Sequence, residues 1–453
     1  MLFKKSKHNL DYLRGKWIFV ADGFFGDNGK GKVTNFLAYY LKEAGMDVGA
    51  CLRPNGGANA GHEVYAPQGK NGPQESYKGH IVPMGILQGV PALVGPGAVI
   101  DAEHFLETEL ANFAAQGVDI EKVFVSLRTH ITLPHYKLIE ELQEKIKGKS
   151  AIGTTKKAIG QTYEYRANRF GIRVCDVIGD KKELFEKIKL NCKLASSMNV
   201  LPDNIGMGAF RMHVSPQETF AWLMQFRDRL EQMAANEQRW YSRIRETGAI
   251  GIAEMGQGAG LDNIHGNYPF VTSSLTTIPG GIAQAGLSHK DLGYGILVVK
   301  GPYYTRVGSG DFFTEMPEEE AVLFRGKKGE LASEYGTTTG RPRRCGYPDL
   351  GFLKKAIALN GPDCVCLTKM DKTANQAKLQ VWSSRGHYEN WAGWKEADIV
   401  GAREWDELPC AAQKFIDWTD IEIMGNGKQL IQLASTGPSL QDMVILDDFL
   451  RRP

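Results

Sequence analysis

Between positions 23 and 32 the chain reads Gly23-Phe24-Phe25-Gly26-Asp27-Asn28-Gly29-Lys30-Gly31-Lys32. Glycines at 26, 29 and 31 let backbone N–H groups come close to a phosphate, and Lys30 and Lys32 add positive charge beside them. An ordinary phosphate loop, G-x-x-x-x-G-K-[ST], has a hydroxyl after its lysine to help hold magnesium. Here Gly31 follows Lys30, and Asp27 stands inside the loop. A carboxylate among phosphates repels them. Asp27 is therefore read as a magnesium ligand or as a base acting on a second substrate beside the phosphates, with an Asx turn or helix cap as the plain structural alternative.

Three further groupings carry chemistry. Arg53-Pro54-Asn55-Gly56-Gly57-Ala58-Asn59-Ala60-Gly61-His62 ends in a histidine behind two glycine-bearing turns. Such a residue is either a satisfied structural histidine or a proton donor to a developing oxyanion, and the NAGH setting favours the donor. Gly336-Thr337-Thr338-Thr339-Gly340-Arg341-Pro342-Arg343-Arg344 sets hydroxyls and backbone donors next to guanidiniums. Each guanidinium grips two oxygens at once, so this loop suits a carboxylate or dicarboxylate; an exposed basic turn is the alternative. In Thr368-Lys369-Met370-Asp371 the aspartate can accept both hydrogens of a guanine N1 and 2-amino edge while the lysine stem covers the purine face, although TKxD by itself is a weak signal.

These residues need elements to hold them. Trp17 to Ala21 reads as a buried strand, and Val33, Phe36, Leu37, Tyr40, Leu41 and Ala44 fall on one helical face that stops at Gly45. Val48 to Leu52 is the next expected strand, followed by a helix over 102–116 with Asp101 as its N-cap. Ser215-Pro216-Gln217-Glu218 has the form of a capping box with proline at the first helical position, opening a helix expected to run to Arg245. Ala249 to Ala253 and Cys364 to Leu367 complete the strands, and the loop from Glu254 to Gly260 follows the first of them. Alternation of this kind predicts an α/β fold with a mainly parallel central sheet covered by helices, and loops at the strand ends are where such folds keep their sites.

Composition narrows the class. A chain of 453 residues, 42% hydrophobic and 23% charged, buries a large core, and 54 basic against 52 acidic residues give no global field for nucleic acid or an acidic membrane. Seven cysteines, without zinc-like C-x2-C pairs, read as reduced structural thiols of a cytosolic protein. Lys4, Lys5 and Lys7 lead only into the short apolar run at 17–21, far less than a signal core or membrane span. A cytoplasmic protein is expected. With no internal repeat or low-complexity linker, residues 1–453 are read as a single catalytic domain with inserted helical and loop subregions.

Taken together and in this order, the four groupings resemble the adenylosuccinate synthetase family. The likeness continues through His80-Ile81-Val82-Pro83-Met84-Gly85-Ile86, Ile152-Gly153-Thr154-Thr155, Tyr268-Pro269-Phe270-Val271-Thr272-Ser273-Ser274 and Ser435-Thr436-Gly437-Pro438. The resemblance implies a P-loop-related fold and a homodimer that joins L-aspartate to the 6-position of IMP, using GTP and magnesium through a 6-phosphoryl intermediate. It assigns Asp27 as the base that takes the purine N1 proton and ligates magnesium, His62 as the general acid, and Lys30 as a partner of the transferring phosphoryl group. Gly61 matches the position whose carbonyl oxygen completes the metal site. Asn59, Thr155, Gln257 and Thr272 match contacts to the purine nucleotide, with Arg341 also facing it and Arg169 reaching in from the neighbouring subunit. Thr339, Arg341 and Arg343 match the aspartate loop. Gly26, Gly29, Lys30, Gly31 and Lys32 match the GTP phosphate contacts, and Lys369, Asp371, Ser435 and Gly437 match the guanine pocket.

Several positions depart from the family pattern. Asn28 replaces the glutamate of GDEGKGK, Phe24 and Phe25 stand in place of glutamine and tryptophan, Ala58 replaces a histidine, and Lys156-Lys157-Ala158 replaces a GRG segment. The stretch between His62 and His80 is several residues longer than usual. Pro342 is similar to phage relatives that make 2-amino-2'-deoxyadenylosuccinate from dGMP, where ATP is a candidate phosphate donor; those relatives commonly carry serine in place of Asp27. Retention of Asp27 favours IMP, and Asn28 with its aromatic neighbours is the expected place where the purine is chosen. A GTP-binding switch or adaptor would share the phosphate loop and TKxD but has no use for NAGH or the arginine loop.

Overall fold

The computed structural model describes residues 9–67, 74–198, 214–330, 333–336, 340–424, 429–446 and 449–451. The apolar run Trp17–Asp22 forms a strand that is buried from end to end. Its side chains alternate between two cores: Trp17, Phe19 and Ala21 pack on one face, Ile18 and Val20 on the other. This strand is central to a ten-stranded sheet among the described residues. Leu292–Lys300 pairs with it on one side, continuing to Cys364–Thr368, Ile431–Ser435 and Met443–Ile445. Ile250–Glu254 pairs on the other side, continuing to Val48–Arg53, Ala92–Val94, Val123–Ser126 and Ala234–Ala235.

Every pairing is parallel except the last hairpin, Ile431–Ser435 with Met443–Ile445. The mainly parallel α/β architecture expected from the alternation is therefore the one observed. Its consequence is functional: the carboxyl ends of Trp17–Asp22, Val48–Arg53, Ile250–Glu254, Cys364–Thr368 and Ile431–Ser435 share one edge of the sheet. The loops bearing the sequence groupings are thereby brought together. Helix Lys30–Glu43 starts at that edge behind Gly29, which takes φ 94°, and ends before Gly45 at φ 80°.

Two expectations are refined. The helix expected over 102–116 opens with a π-helical segment, His104–Glu109, before Leu110–Ala115 continues as an α-helix. The long helix expected from Ser215 to Arg245 is instead three helices, Pro216–Met224, Arg227–Met233 and Glu237–Thr247. Ser215 Oγ does accept from the Glu218 N–H at 3.2 Å. The run is interrupted because Ala234–Ala235 is drawn out to pair with Val125 and Ser126 at the sheet edge, and Asn236 Oδ1 then accepts from Gln238 N–H at 3.0 Å. Asn236 is a new N-cap, and its short amide competes with continuation of the helix. Among the described residues no helix is long and apolar enough to cross a membrane.

Candidate active site

The phosphate loop is wound tightly: Gly26, Asp27 and Gly29 take φ values of 83°, 62° and 94°. Asp27, a non-glycine residue in the left-handed region, is held there by its surroundings. Gln257 and Lys369 adopt the same region at φ 56° and 58°. Three residues from three different strand-end loops thus carry backbone strain at one place, the pattern expected where a site is over-determined by its scaffold.

Two cavities flank this loop. The larger, about 370 Å3, is lined by Asn59, Thr155, Gln257 and Thr272, the residues expected to contact the purine nucleotide. Gln257 Nε2 donates to Asn59 Oδ1 at 2.9 Å, and Asn59 Nδ2 donates to Thr272 Oγ1 at 3.3 Å. Gln257 Oε1 is buried and has no protein partner, an acceptor left over for a ligand. The smaller cavity, about 110 Å3, is lined by Asp27, Gly29, Lys32, Lys369, Asp371 and Ser435, with Gly437 beside them. The loop lies beside both. A Cβ built on Gly26 would lie 3.7 Å from the Gln257 carbonyl carbon and from Leu261, both belonging to the larger cavity, whereas residues 27 and 29 face the smaller one.

The smaller cavity is stitched by long-range bonds. Thr368 Oγ1 donates to the Asn28 carbonyl at 2.7 Å, and Met370 N–H donates to the Ser435 carbonyl at 3.0 Å. Lys32 Nζ donates to Ser435 Oγ at 2.7 Å and to the Asp442 carbonyl at 2.9 Å, so its ammonium ties the helix start to the Ser435 loop. Burial brings its pKa down to about 8, opposed by Asp442 and Asp371. Lys369 lies 3.6 Å from Glu334, which also takes Lys300 at 2.8 Å. Burial lowers the Lys369 pKa, but Glu334, Asp371 and Asp27 more than reverse this, and the net direction is upward.

His62 follows the strand Val48–Arg53 through the glycine turn and is buried. Its Nδ1 lies 2.5 Å from Glu254 Oε1, and its Nε2 is 3.3 Å from Arg53 Nη1. Arg53 Nη2 also donates to Glu254 Oε1 at 3.0 Å, and the Met84 N–H donates to Glu254 Oε2 at 2.8 Å. Burial and then Arg53 push the His62 pKa down, against the pull of Glu254. Glu254 is burdened by burial, yet His62 and Arg53 hold its carboxyl at about 2. A neutral His62 with its proton on Nδ1 and Nε2 accepting from Arg53 fits these distances. His62 lines neither cavity, so proton donation to a ligand requires its Nε2 to leave Arg53.

The arginine loop divides its cations. Arg343 Nε donates to Asp27 Oδ2 at 2.9 Å, and Arg341 Nη1 would lie 3.9 Å from a Cβ built on Gly153, a lining residue of the larger cavity. Thr339 lies outside the described residues. Arg169 belongs to neither cavity near Asp27. It lines a third, of about 550 Å3, with Arg166, Arg173, Lys187 and His130. Gly61 follows the Gly57–Ala60 turn directly before His62.

The expectation that Phe24 and Phe25 take part in choosing the purine is not supported. Both are buried, and neither lines either of these two cavities. Phe24 packs against Tyr304, Phe312 and Phe352 at ring separations of 4.5, 5.7 and 4.9 Å, and the Arg306 guanidinium lies 3.8 Å over the Phe25 ring. They anchor the loop from behind. Asn28 is equally buried. Sequence reasoning gave no role to Glu254, Glu334 or Asp22. For Asp22 and Glu254 the available signal was a carboxylate at the end of an apolar run, where a buried charge requires a partner; Glu334 had no such signal.

The comparisons with known proteins place the chain in a family. Residues 20–384 match the family model for adenylosuccinate synthetase. Adenylosuccinate synthetase from Caldicellulosiruptor saccharolyticus is 34% identical over 451 residues, covering 94% of this chain and 97% of the relative. The enzyme from Carboxydothermus hydrogenoformans is 36% identical over 445 residues, covering 93% and 97%. Fully ligated adenylosuccinate synthetase from Plasmodium falciparum superposes with a TM-score of 0.80 at 27% identity, covering 94% of this chain and 99% of that one. Cyanophage S-2L succinoaminodeoxyadenylate synthetase, solved with dGMP and dATP, shares the fold with a TM-score of 0.57 at 18% identity, covering 95% of each chain. Shared sequence along nearly the whole length, with the expected nucleotide contacts meeting around one strained loop, leads to one conclusion: the chain belongs to the adenylosuccinate synthetase family and is a carbon–nitrogen ligase of that class.

Proposed function

We propose that this ligase joins L-aspartate to C6 of IMP, giving adenylosuccinate, GDP and phosphate through 6-phosphoryl-IMP, with residues 1–453 acting as one catalytic unit. The observation that supports the reading is that the phosphate loop lies beside both cavities: Asp27 lines the smaller one, while a Cβ on its neighbour Gly26 would lie 3.7 Å from Gln257 and Leu261 of the larger. The larger cavity takes IMP, held by Asn59, Thr155, Gln257 and Thr272. The smaller takes GTP, with Asp371 on the guanine edge, Lys369 on the purine face, Ser435 and Gly437 alongside, and Gly26, Gly29, Lys30, Gly31 and Lys32 toward the phosphates. A 6-oxo group is a poor leaving group. Asp27 removes the N1 proton so that O6 becomes nucleophilic, the γ-phosphoryl group caps O6, and the aspartate amine then displaces phosphate while His62 and Lys30 meet the developing charge.

Thr339, Arg341 and Arg343 serve the aspartate carboxylates, and Arg341 also reaches toward the purine nucleotide. Magnesium suits this donor set, because such sites supply one or two carboxylates and leave the remaining ligands to substrate phosphates and water. Asp27 and the Gly61 carbonyl would hold it, and when bound it offsets the negative charge of the transferring phosphoryl group. Arg169 lies in a separate basic cavity, as suits a residue that serves a neighbouring subunit's nucleotide in a homodimer.

The test is an incubation of the purified protein with GTP, magnesium, IMP and aspartate. The succinyl nucleotide and phosphate are expected; GTP hydrolysis that is indifferent to IMP and aspartate would overturn the reading. Parallel incubations with dGMP in place of IMP, and with ATP in place of GTP, read the substrate choice directly, and faster product formation with dGMP would replace IMP in the proposal.

A further inference from the structure

Two buried polar residues lie beneath the phosphate loop, at the end of the strand Trp17–Asp22 and within the loop itself. Asp22 is completely buried, and its carboxylate collects five donors. The Phe24 and Gly26 N–H groups reach Oδ1 at 3.0 and 3.2 Å, and the Asn28 N–H reaches Oδ2 at 3.2 Å. Asn28 Nδ2 donates to Oδ1 at 2.7 Å, and Lys30 Nζ to Oδ2 at 3.0 Å. The cage leaves no spare room: a Cβ added to Gly258 would sit 2.4 Å from Asp22 Oδ1 and 2.6 Å from the Gly26 nitrogen.

The positions of these donors matter. Asp22 holds the N–H groups of residues 26 and 28, the two neighbours of Asp27, and thereby closes the turn that forces Asp27 to φ 62°. The same carboxylate aims Lys30, the first residue of the helix. The contact with Asn28 also accounts for the departure at that position. A glutamate at 28 would place a second carboxylate against Asp22 in a site with almost no water, where two like charges are costly. An amide donates instead.

We infer that Asp22 and Asn28 are a matched carboxylate–amide pair, and that Asp22 is the positioning residue that presents Asp27 and Lys30 to their substrates. The inference rests on the roles proposed above for Asp27 and Lys30. Asp22 touches no ligand cavity and acts through its neighbours. Its negative charge lies beneath the phosphate loop and opposes nucleotide binding, while its hold on Lys30 favours it; the two offset each other, and Asp22 contributes chiefly to turnover.

Asp22→Asn, Asn28→Glu and the exchange variant Asp22→Asn/Asn28→Glu separate this from a structural cap. The full chain is assayed for kcat and for the KM of GTP, with Mg·GTP binding measured by calorimetry and thermal midpoints recorded. Each single variant is expected to lose about 100-fold in kcat, the scale set by misplacing a reacting group by about 1 Å. Asp22→Asn should do so without a rise in the KM for GTP, and the exchange variant should recover at least about tenfold over either single variant, a coupling expected only of residues in contact. An Asp22→Asn enzyme with wild-type kcat, parallel losses in kcat and GTP affinity, or an exchange variant whose defect is the product of the single defects would overturn the inference. If the wild-type protein forms no succinyl nucleotide, the proposed function fails separately. Mg·GTP binding then decides the inference: unchanged or tighter binding by Asp22→Asn supports it, and weaker binding overturns it.

Discussion

Arg343 Nε donates to Asp27 Oδ2 across 2.9 Å, joining residues 316 positions apart in the chain. The guanidinium proposed for aspartate thus rests on the carboxylate proposed as the base, and both side chains remain partly accessible, at 14% and 30%. While the pair persists, one oxygen of Asp27 is engaged by the Arg343 guanidinium. If Arg343 binds the aspartate carboxylate as proposed, that carboxylate would compete with Asp27 for the same guanidinium.

Asp27→Asn keeps the shape and removes the base. Turnover is expected to fall by roughly three orders of magnitude or more while the thermal midpoint stays near that of the wild type. Steady-state assays of adenylosuccinate formation check this, and near-normal turnover would remove Asp27 from the mechanism.

Arg341 Nη1 would lie 3.9 Å from a Cβ on Gly153, which lines the larger cavity. Arg341→Leu is expected to raise the KM for aspartate by about 10- to 100-fold, the loss of a forked cation–carboxylate contact, with GTP saturation little altered. An unchanged aspartate dependence would assign the loop elsewhere.

Asp371 lines the smaller cavity with Lys369 and is 5% exposed. A carboxylate there accepts from the guanine N1–H and 2-amino group, whereas an asparagine offers its NH2 to the 2-oxo group of xanthine. Asp371→Asn should shift the ratio of kcat/KM for GTP over XTP toward XTP by about two orders of magnitude. Competition assays with both nucleotides measure that ratio, and a constant ratio would place the purine in another pocket.

Phe24 is 2% exposed within the cluster of Tyr304, Phe312 and Phe352. Phe24→Ala is expected to destabilise the protein by about 3 kcal/mol or more through the cavity it leaves. Phe24→Leu should restore most of that stability without changing the preference for IMP over dGMP. Denaturation midpoints and a two-substrate assay test the two halves independently.

His130 and His135 bear on acid sensitivity. Burial, followed by Arg166 and Arg173, holds the His130 pKa down at about 4, and burial holds His135 at about 4 against its hydrogen bond to Asn191. Both values lie below the ordinary histidine pKa of about 6.5, so between pH 4 and 6.5 the unfolded chain binds more protons than the folded one. Stability is therefore expected to rise with pH through that window, and to be lost as pH falls from about 6.5. Thermal midpoints recorded across it should fall less steeply in His135→Gln than in the wild type.

How much of this was legible in the chain depends on the range of the interaction. The strands at 17–21, 48–52, 249–253 and 364–367 and the helix before Gly45 followed from apolar periodicity and glycine stops, which are local signals, and they stand where expected. The helix read as running from 215 to 245 failed because its interruption at Ala234 comes from pairing with a strand more than 100 residues earlier, while the one local clue, Asn236, lay inside an otherwise helical pattern. Phe24 and Phe25 were misplaced for a related reason: an aromatic residue in a glycine loop looks the same whether it faces a ligand or the core.

The sequence alone determined that phosphate-binding glycines, a carboxylate, a histidine, an arginine loop and TKMD occur at the ends of alternating apolar runs, which suffices for a parallel sheet with its chemistry at one edge. Tertiary structure decided which of these residues meet. It set Gln257 with Asn59 and Thr272, sent Arg343 to Asp27, paired His62 with Glu254, and put Arg169 in a different cavity. It also filled the centre of the phosphate loop with Asp22. Local periodicity acts over a turn or a strand, whereas the partner of a buried charge is set by how the sheet is ordered, and that order is a property of the whole chain.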